Sequence, residues 1–166
     1  MSEGLLPPAV MELAARVIAE NKAAGRMVAL AESCTGGLVS AALTEIAGSS
    51  AVLDRGFVTY SNEAKQEMLG VNADIIDTFG AVSIACAWAM AQGALKHSGA
   101  DVAVAISGIA GPDGGSAQKP VGTVVFARAI RGVEDDVVAE ERHFAETTRA
   151  GVRHQATLVA LELLLP

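Results

Sequence analysis

Met27-Val28-Ala29-Leu30-Ala31-Glu32-Ser33-Cys34-Thr35-Gly36-Gly37 decides how this chain folds, because a short apolar run drives straight into small, hydroxyl-bearing residues and a glycine pair. That pattern is a buried strand turning sharply into a helix. The last side chains of such a strand stand at the sheet edge, beside unpaired N–H groups of the helix start. Ser33 is therefore a candidate nucleophile, although Ser33 or Thr35 also suits the plainer task of capping a helix over residues ~36–47. Cys34 is a rival nucleophile, since a helix N-terminus strengthens thiolates, or else a small packed residue. Neighbours in an extended chain point to opposite sides, so only one of Ser33 and Cys34 faces a ligand.

Outward from this stretch, Val10, Leu13, Ala14, Val17 and Ile18 recur at helical spacing between Pro7-Pro8 and Gly25, which predicts a helix over about residues 8–24. The first strand covers about 27–33. Ala51-Val52-Leu53 and Gly56-Phe57-Val58-Thr59-Tyr60 read as a second, bent strand. Residues 62–79 read as two short helices broken at Gly70, and Ser83 to His97 as a small-residue helix. Asp101 to Ser107, bounded by Gly99 and Gly108, has the continuous apolar character of a strand buried on both faces. Val121–Arg131 and Asp136–Phe144 flank Gly132 as an antiparallel edge hairpin, and a last helix runs over about 148–164. This order implies a mixed sheet with helices on both faces.

A chain of 166 residues, 51% hydrophobic but only 4% aromatic, suits one α/β domain with small-residue helices packed closely on the sheet. A net charge of −7 with twelve scattered Lys and Arg excludes extended phosphate-backbone binding, so nucleic acid is not expected as a partner. An anionic small molecule remains compatible with that charge, because one or two arginines and a helix N-terminus suffice to hold a phosphate. Cys34 and Cys86 form no CxxC pair, which points to a reducing compartment and no cysteine metal site. The N-terminus lacks the pattern of an export signal and no run approaches the ~18 apolar residues of a membrane span, so a cytoplasmic protein without membrane association is expected.

Three loops should converge where the strands end. The first holds Ser33; the second is Thr59-Tyr60-Ser61-Asn62-Glu63-Ala64-Lys65; the third, Ser107 to Gly115, has four glycines within eight residues. Such glycine density lets backbone approach a ligand, as an anion cradle or simply as a turn-rich connection. It matches neither the GxxxxGK[ST] loop nor the GxGxxG fingerprint. His97, His143 and His154 leave no strand end. Lys65 is the better base for Ser33, provided that burial lowers its pKa to roughly 7–8 rather than leaving it solvated. Arg149 and Arg153, at the start of the last helix, are candidates for an anion site or are solvated helix arginines.

Ala31-Glu32-Ser33-Cys34-Thr35-Gly36-Gly37, Ile46-Ala47-Gly48-Ser49-Ser50, Arg55 to Lys65, the glycine loop and Lys119-Pro120-Val121-Gly122-Thr123-Val124 occur in an order that resembles the CinA C-terminal domain family across nearly the whole chain. The longer proteins of that family carry an N-terminal domain that 166 residues do not accommodate, so a single domain over residues 1–166 is expected. The resemblance implies a three-layer α/β/α sandwich with a mixed, mostly parallel sheet of about five strands. It also implies hydrolysis of the carboxamide of nicotinamide mononucleotide, a pyridine nucleotide, to nicotinate mononucleotide and ammonia, without metal or cofactor. Mapped onto this sequence, Ser33 is the nucleophile and Lys65 the base, with Tyr60 orienting the lysine or the amide. Substrate contacts are then expected from Cys34, Thr35 and Gly36 after the nucleophile and from Gly108 and Gly111 in the glycine loop, while Arg149, with Arg153 beside it, is expected at the phosphate from its charge at a helix start rather than from the resemblance. A nucleotide-binding module without turnover is the alternative, since binding needs the same loops. A symmetric homo-oligomer is compatible with the small-residue faces and the edge hairpin.

Overall fold

Large and small residues alternate along the central strands, and this alternation sets the architecture. In a computed structural model describing residues 4–146 and 148–166, β1 (Val28–Glu32), β3 (Val102–Gly108) and β4 (Thr123–Ile130) are buried almost throughout. Residues 1–3 and Thr147, within the expected single domain, lie outside the described residues. Val28, Leu30, Val102, Val104, Ile106, Val124 and Phe126 face one core, whereas Ala29, Ala31, Ala103, Ala105, Val125, Ala127 and Ala129 face the other. The bulky face packs against α1 (Pro8–Ala24), α2 (Leu38–Thr44) and α6 (Arg149–Leu163). Against the alanine face lies the alanine-rich α5 (Ile84–Lys96), with α3 (Asn62–Leu69) and α4 (Ala73–Phe79) beside it. The result is three layers, α/β/α.

The sheet runs β2-β1-β3-β4-β5, with β2 (Leu53–Val58) and β5 (Val133–His143) at its edges. The β2–β1 and β1–β3 ladders are parallel, and β3–β4 and β4–β5 antiparallel, so four of the five strands point the same way. The expected bend in β2 is a bulge: Val28 pairs with Leu53 and Ala29 with Arg55, leaving Asp54 over. The expected strand at Ala51-Val52 is replaced by a 3-10 turn over Ser49–Ala51, in which the Val52 amide donates to Ser49 O. No helix among the described residues is long and apolar enough to cross a membrane.

Two features place the site. First, α2 starts only at Leu38 because Gly36 and Gly37, at φ 57° and 101°, form the turn out of β1. Its N-cap residue, Gly37, brings no side-chain cap. Instead the buried Glu32 carboxylate reaches over from β1 and accepts from the amides of Gly37, Val39 and Ser40. Second, α3 lies so close to α5 that a Cβ on Gly93 would collide with the Leu69 carbonyl. Gly93→Ala should therefore destabilise the protein by about 1–3 kcal/mol through overpacking. Urea unfolding checks this, and an unchanged midpoint would contradict the close approach.

Candidate active site

The parallel strands β2, β1 and β3 bring their C-terminal ends to one edge of the sheet, where ligands of open α/β sheets bind. One residue beyond β1, the Ser33 amide still donates to Ile106 O of β3 at 3.0 Å, which continues the ladder as far as Ser33. The chain then turns, with the Gly36 amide donating to Ser33 O. At the end of β2, the Thr59 amide donates to Glu32 O at 2.8 Å, fixing the second loop against the first. Ser61 next caps α3 by accepting from the Ala64 amide, so that Lys65 leaves the first turn pointing back toward β1.

The Lys65 amine sits 3.1 Å from Ser33 Oγ, 2.9 Å from Thr59 O and 3.1 Å from Tyr60 O. With 1% of its surface exposed, Lys65 is the largest fully buried side chain described. No salt bridge among the described residues involves it. Burial holds its pKa below the ordinary lysine value, against a weaker opposing influence of the Cys86 and Cys34 thiols. Two of the three neighbours are carbonyls and can only accept. A neutral amine, with two N–H groups and one lone pair, satisfies both carbonyls and accepts the Ser33 hydroxyl proton along the remaining direction.

A cavity of about 320 Å³ opens onto this pair, near the lower end of the volumes usual for small-molecule sites. Of the residues singled out from the sequence, Ser33, Cys34, Tyr60, Lys65, Gly108, Gly111 and Arg149 line it. Thr35, Gly36 and Arg153 do not. Arg153 lies behind the Ser33 turn, its Nε donating to Cys34 O at 3.0 Å, and so braces the loop rather than facing the cavity. Arg149 instead spans the mouth, donating to Gly111 O at 2.7 Å and to the Tyr60 hydroxyl at 3.0 Å. Tyr60 thus meets Lys65 through its carbonyl and Arg149 through its ring hydroxyl. Burial pushes the Cys34 thiol up to about 11, the opposite of an activated thiolate.

Asn62, Ser107 and Asp113, within the loops expected to converge but given no role of their own, also line the cavity, as do Ala81 and Val82, which the sequence did not single out. Ser107 carried a usable signal, since it stands at the end of β3 beside Ser33 in the parallel register. Ala81 and Val82, in the α4–α5 connection, carried none. The three histidines line no part of this cavity, and among the described residues no group of three or more His, Cys, Asp or Glu side chains is placed to hold a metal ion.

The family model for the CinA C-terminal domain matches residues 10–166. "Nicotinamide-nucleotide amidohydrolase PncC" of Enterobacter agglomerans is 53% identical over 93% of this chain and 92% of its own length. The Escherichia coli K12 protein of the same name is 52% identical, with the same two coverages. A "CinA-like protein" of Syntrophotalea carbinolica is 47% identical over 96% of this chain, which spans only 39% of that longer protein. Among solved structures, the competence/damage inducible protein CihA of Agrobacterium tumefaciens superposes with a TM-score of 0.93 at 52% identity, covering 99% of this chain and 97% of that one.

Because the folded-state pKa of Lys65 lies below its unfolded value, the unfolded chain binds more protons between the two, and stability rises with pH across that window. Lys65→Met removes this slope. Its stability relative to the unsubstituted protein should be most favourable at the acidic end of that window and should fall as pH approaches the ordinary lysine value of 10.5. Urea unfolding of both proteins at several pH values measures the difference, and a pH-independent one would contradict the burial of the amine.

Proposed function

The chain belongs to the CinA C-terminal domain family, and we propose that it hydrolyses the carboxamide of nicotinamide mononucleotide, yielding nicotinate mononucleotide and ammonia, with Ser33 as nucleophile and Lys65 as base. Two supports are independent. The single-domain relatives named for this activity are matched over 92% of their length. The observation that carries the mechanism is the 3.1 Å separation of Lys65 Nζ from Ser33 Oγ inside a desolvated pocket.

In the proposed reaction, the Lys65 amine takes the Ser33 proton as Oγ attacks the carboxamide carbon, and the electron pair of the C=O bond moves to oxygen. The oxyanion faces the amide of Cys34, which lines the cavity. The surrounding amides of Ser33, Gly36, Gly37, Leu38, Val39 and Ser40 all have protein acceptors. Collapse breaks the C–N bond, and the Lys65 ammonium returns its proton to the departing nitrogen, releasing ammonia. Water then enters, gives a proton to Lys65 and attacks the Ser33 ester. Oγ leaves and recovers that proton, restoring the starting state. The substrate phosphate is assigned to Arg149, whose guanidinium already sits at the cavity mouth on exchangeable oxygen partners. Arg153 is not assigned to it, because its guanidinium holds the Ser33 turn.

Ammonia release from nicotinamide mononucleotide by chelator-treated protein is the test. Ser33→Ala and Lys65→Met should each lower turnover by roughly 10³-fold or more, and Cys34→Ala should leave most of it. Turnover should rise with pH along a limb that belongs to Lys65 and lies below the ordinary lysine range. Tight calorimetric binding of unconverted nucleotide with no product would instead support a binding module. Loss of turnover in Cys34→Ala, with Ser33→Ala active, would move the nucleophile to sulfur.

A further inference from the structure

Glu32 is fully buried, pairs with no cation among the described residues and takes no part in the proposed chemistry. A buried carboxylate is costly unless its oxygens are well hydrogen-bonded, and here both are. Oε1 accepts from the amides of Gly37 and Val39 at 3.2 and 3.0 Å, while Oε2 accepts from the Ser40 amide at 3.0 Å and the Ser40 hydroxyl at 2.7 Å. Capping alone asks for nothing so elaborate, since a Ser or Asp at the cap position would satisfy α2 locally. What the long reach from the strand adds is a cross-link: the residue before Ser33 is fastened to the helix after it, fixing the span of the turn that carries Oγ.

The other half of the pair is fastened to the same residue. Glu32 O accepts from the Thr59 amide, and the Thr59 carbonyl in turn accepts from Lys65 Nζ. The Ser40 hydroxyl reaches Glu32 only because β2 presents a glycine beneath it, for a Cβ on Gly56 would collide with Ser40 Oγ. This accounts for Gly56 within Arg55-Gly56-Phe57, a stretch with no residue in the cavity lining.

We infer that Glu32 is the positioning residue of this site: its carboxylate, held by α2 and by Ser40 over Gly56, sets Ser33 Oγ against Lys65, while its carbonyl sets the Thr59 carbonyl that orients the amine. The inference rests on the Ser33/Lys65 reading above, but Glu32 touches no substrate. Its effect should therefore appear in the reactivity of Ser33 and not in substrate affinity.

The experiment compares Glu32→Gln, Ser40→Ala and Gly56→Ala with the unsubstituted protein, using the rate at which a small fluorophosphonate labels Ser33, read by intact mass, together with kcat, KM and their pH dependence. Glu32→Gln should lower labelling and kcat by about ten- to a hundred-fold, and the other two by less, with KM for nicotinamide mononucleotide nearly unchanged. The Lys65 limb should move to higher pH, because an amine that loses the Ser33 O–H donor to its lone pair holds a proton more firmly. Variants that unfold at lower urea yet keep the original labelling rate and pH limb would overturn the inference, leaving Glu32 a structural cap. Should Glu32→Gln not fold, Ser40→Ala and Gly56→Ala decide, since each disturbs a single bond to the carboxylate. If the unsubstituted protein is labelled but releases no ammonia from the nucleotide, the proposed function fails while loss of labelling in the variants still upholds Glu32. Absence of labelling in the unsubstituted protein overturns both.

Discussion

An amine enclosed by two main-chain carbonyls and a serine hydroxyl, with almost no solvent contact, is the constraint on which this site rests. An ammonium in that place keeps its hydrogen bonds but loses hydration, and no carboxylate among the described residues compensates it. Each unit by which its pKa falls corresponds to about 1.4 kcal/mol shifted toward the neutral form. The sheet supplies the enclosure. Parallel β1 and β2 end side by side, their exit loops are joined by the Thr59–Glu32 backbone bond, and α5 packs on the alanine face.

The rest of the cavity divides the work between rigid and exchangeable contacts. Arg153 and Arg149 sit one helical turn apart at the start of α6, yet one braces the Cys34 carbonyl in the Ser33 turn and the other bridges Gly111 and Tyr60 at the cavity. Cys34 joins the core on the α1–α2–α6 face while Ser33 Oγ meets the lysine; both residues lie in the turn after β1 and both line the cavity, so the alternation of an extended chain does not separate them. The raised pKa of Cys34 follows from its burial.

The helices were legible wherever local signals fix both ends. Pro7-Pro8 and Gly25 bound α1, and Gly70 separates α3 from α4 as the pattern predicts. Local signals misled at Ala51-Val52, where Ala51 belongs to a turn begun by Gly48 at φ 85° and the β-branched Val52 closes it. Within the site, Ser33 and Lys65 could be nominated from motifs, but their meeting depends on strand order, which periodicity does not encode. Arg149 and Arg153 look equivalent in sequence because both follow Thr148, and only the placement of α6 against the Ser33 turn separates them. The capping by Glu32 was invisible because it acts across a turn on a helix whose own N-cap is glycine.

The proposed role of Lys65 requires a buried amine that gives up its proton more readily than an ordinary lysine. Its most direct test is an NMR titration of protein carrying ¹³Cε-labelled lysine, with the Lys65 resonance assigned by its absence in Lys65→Met. The account predicts that Lys65 titrates below the ordinary lysine value of 10.5, apart from the exposed lysines. A Lys65 resonance that titrates together with those lysines would contradict it.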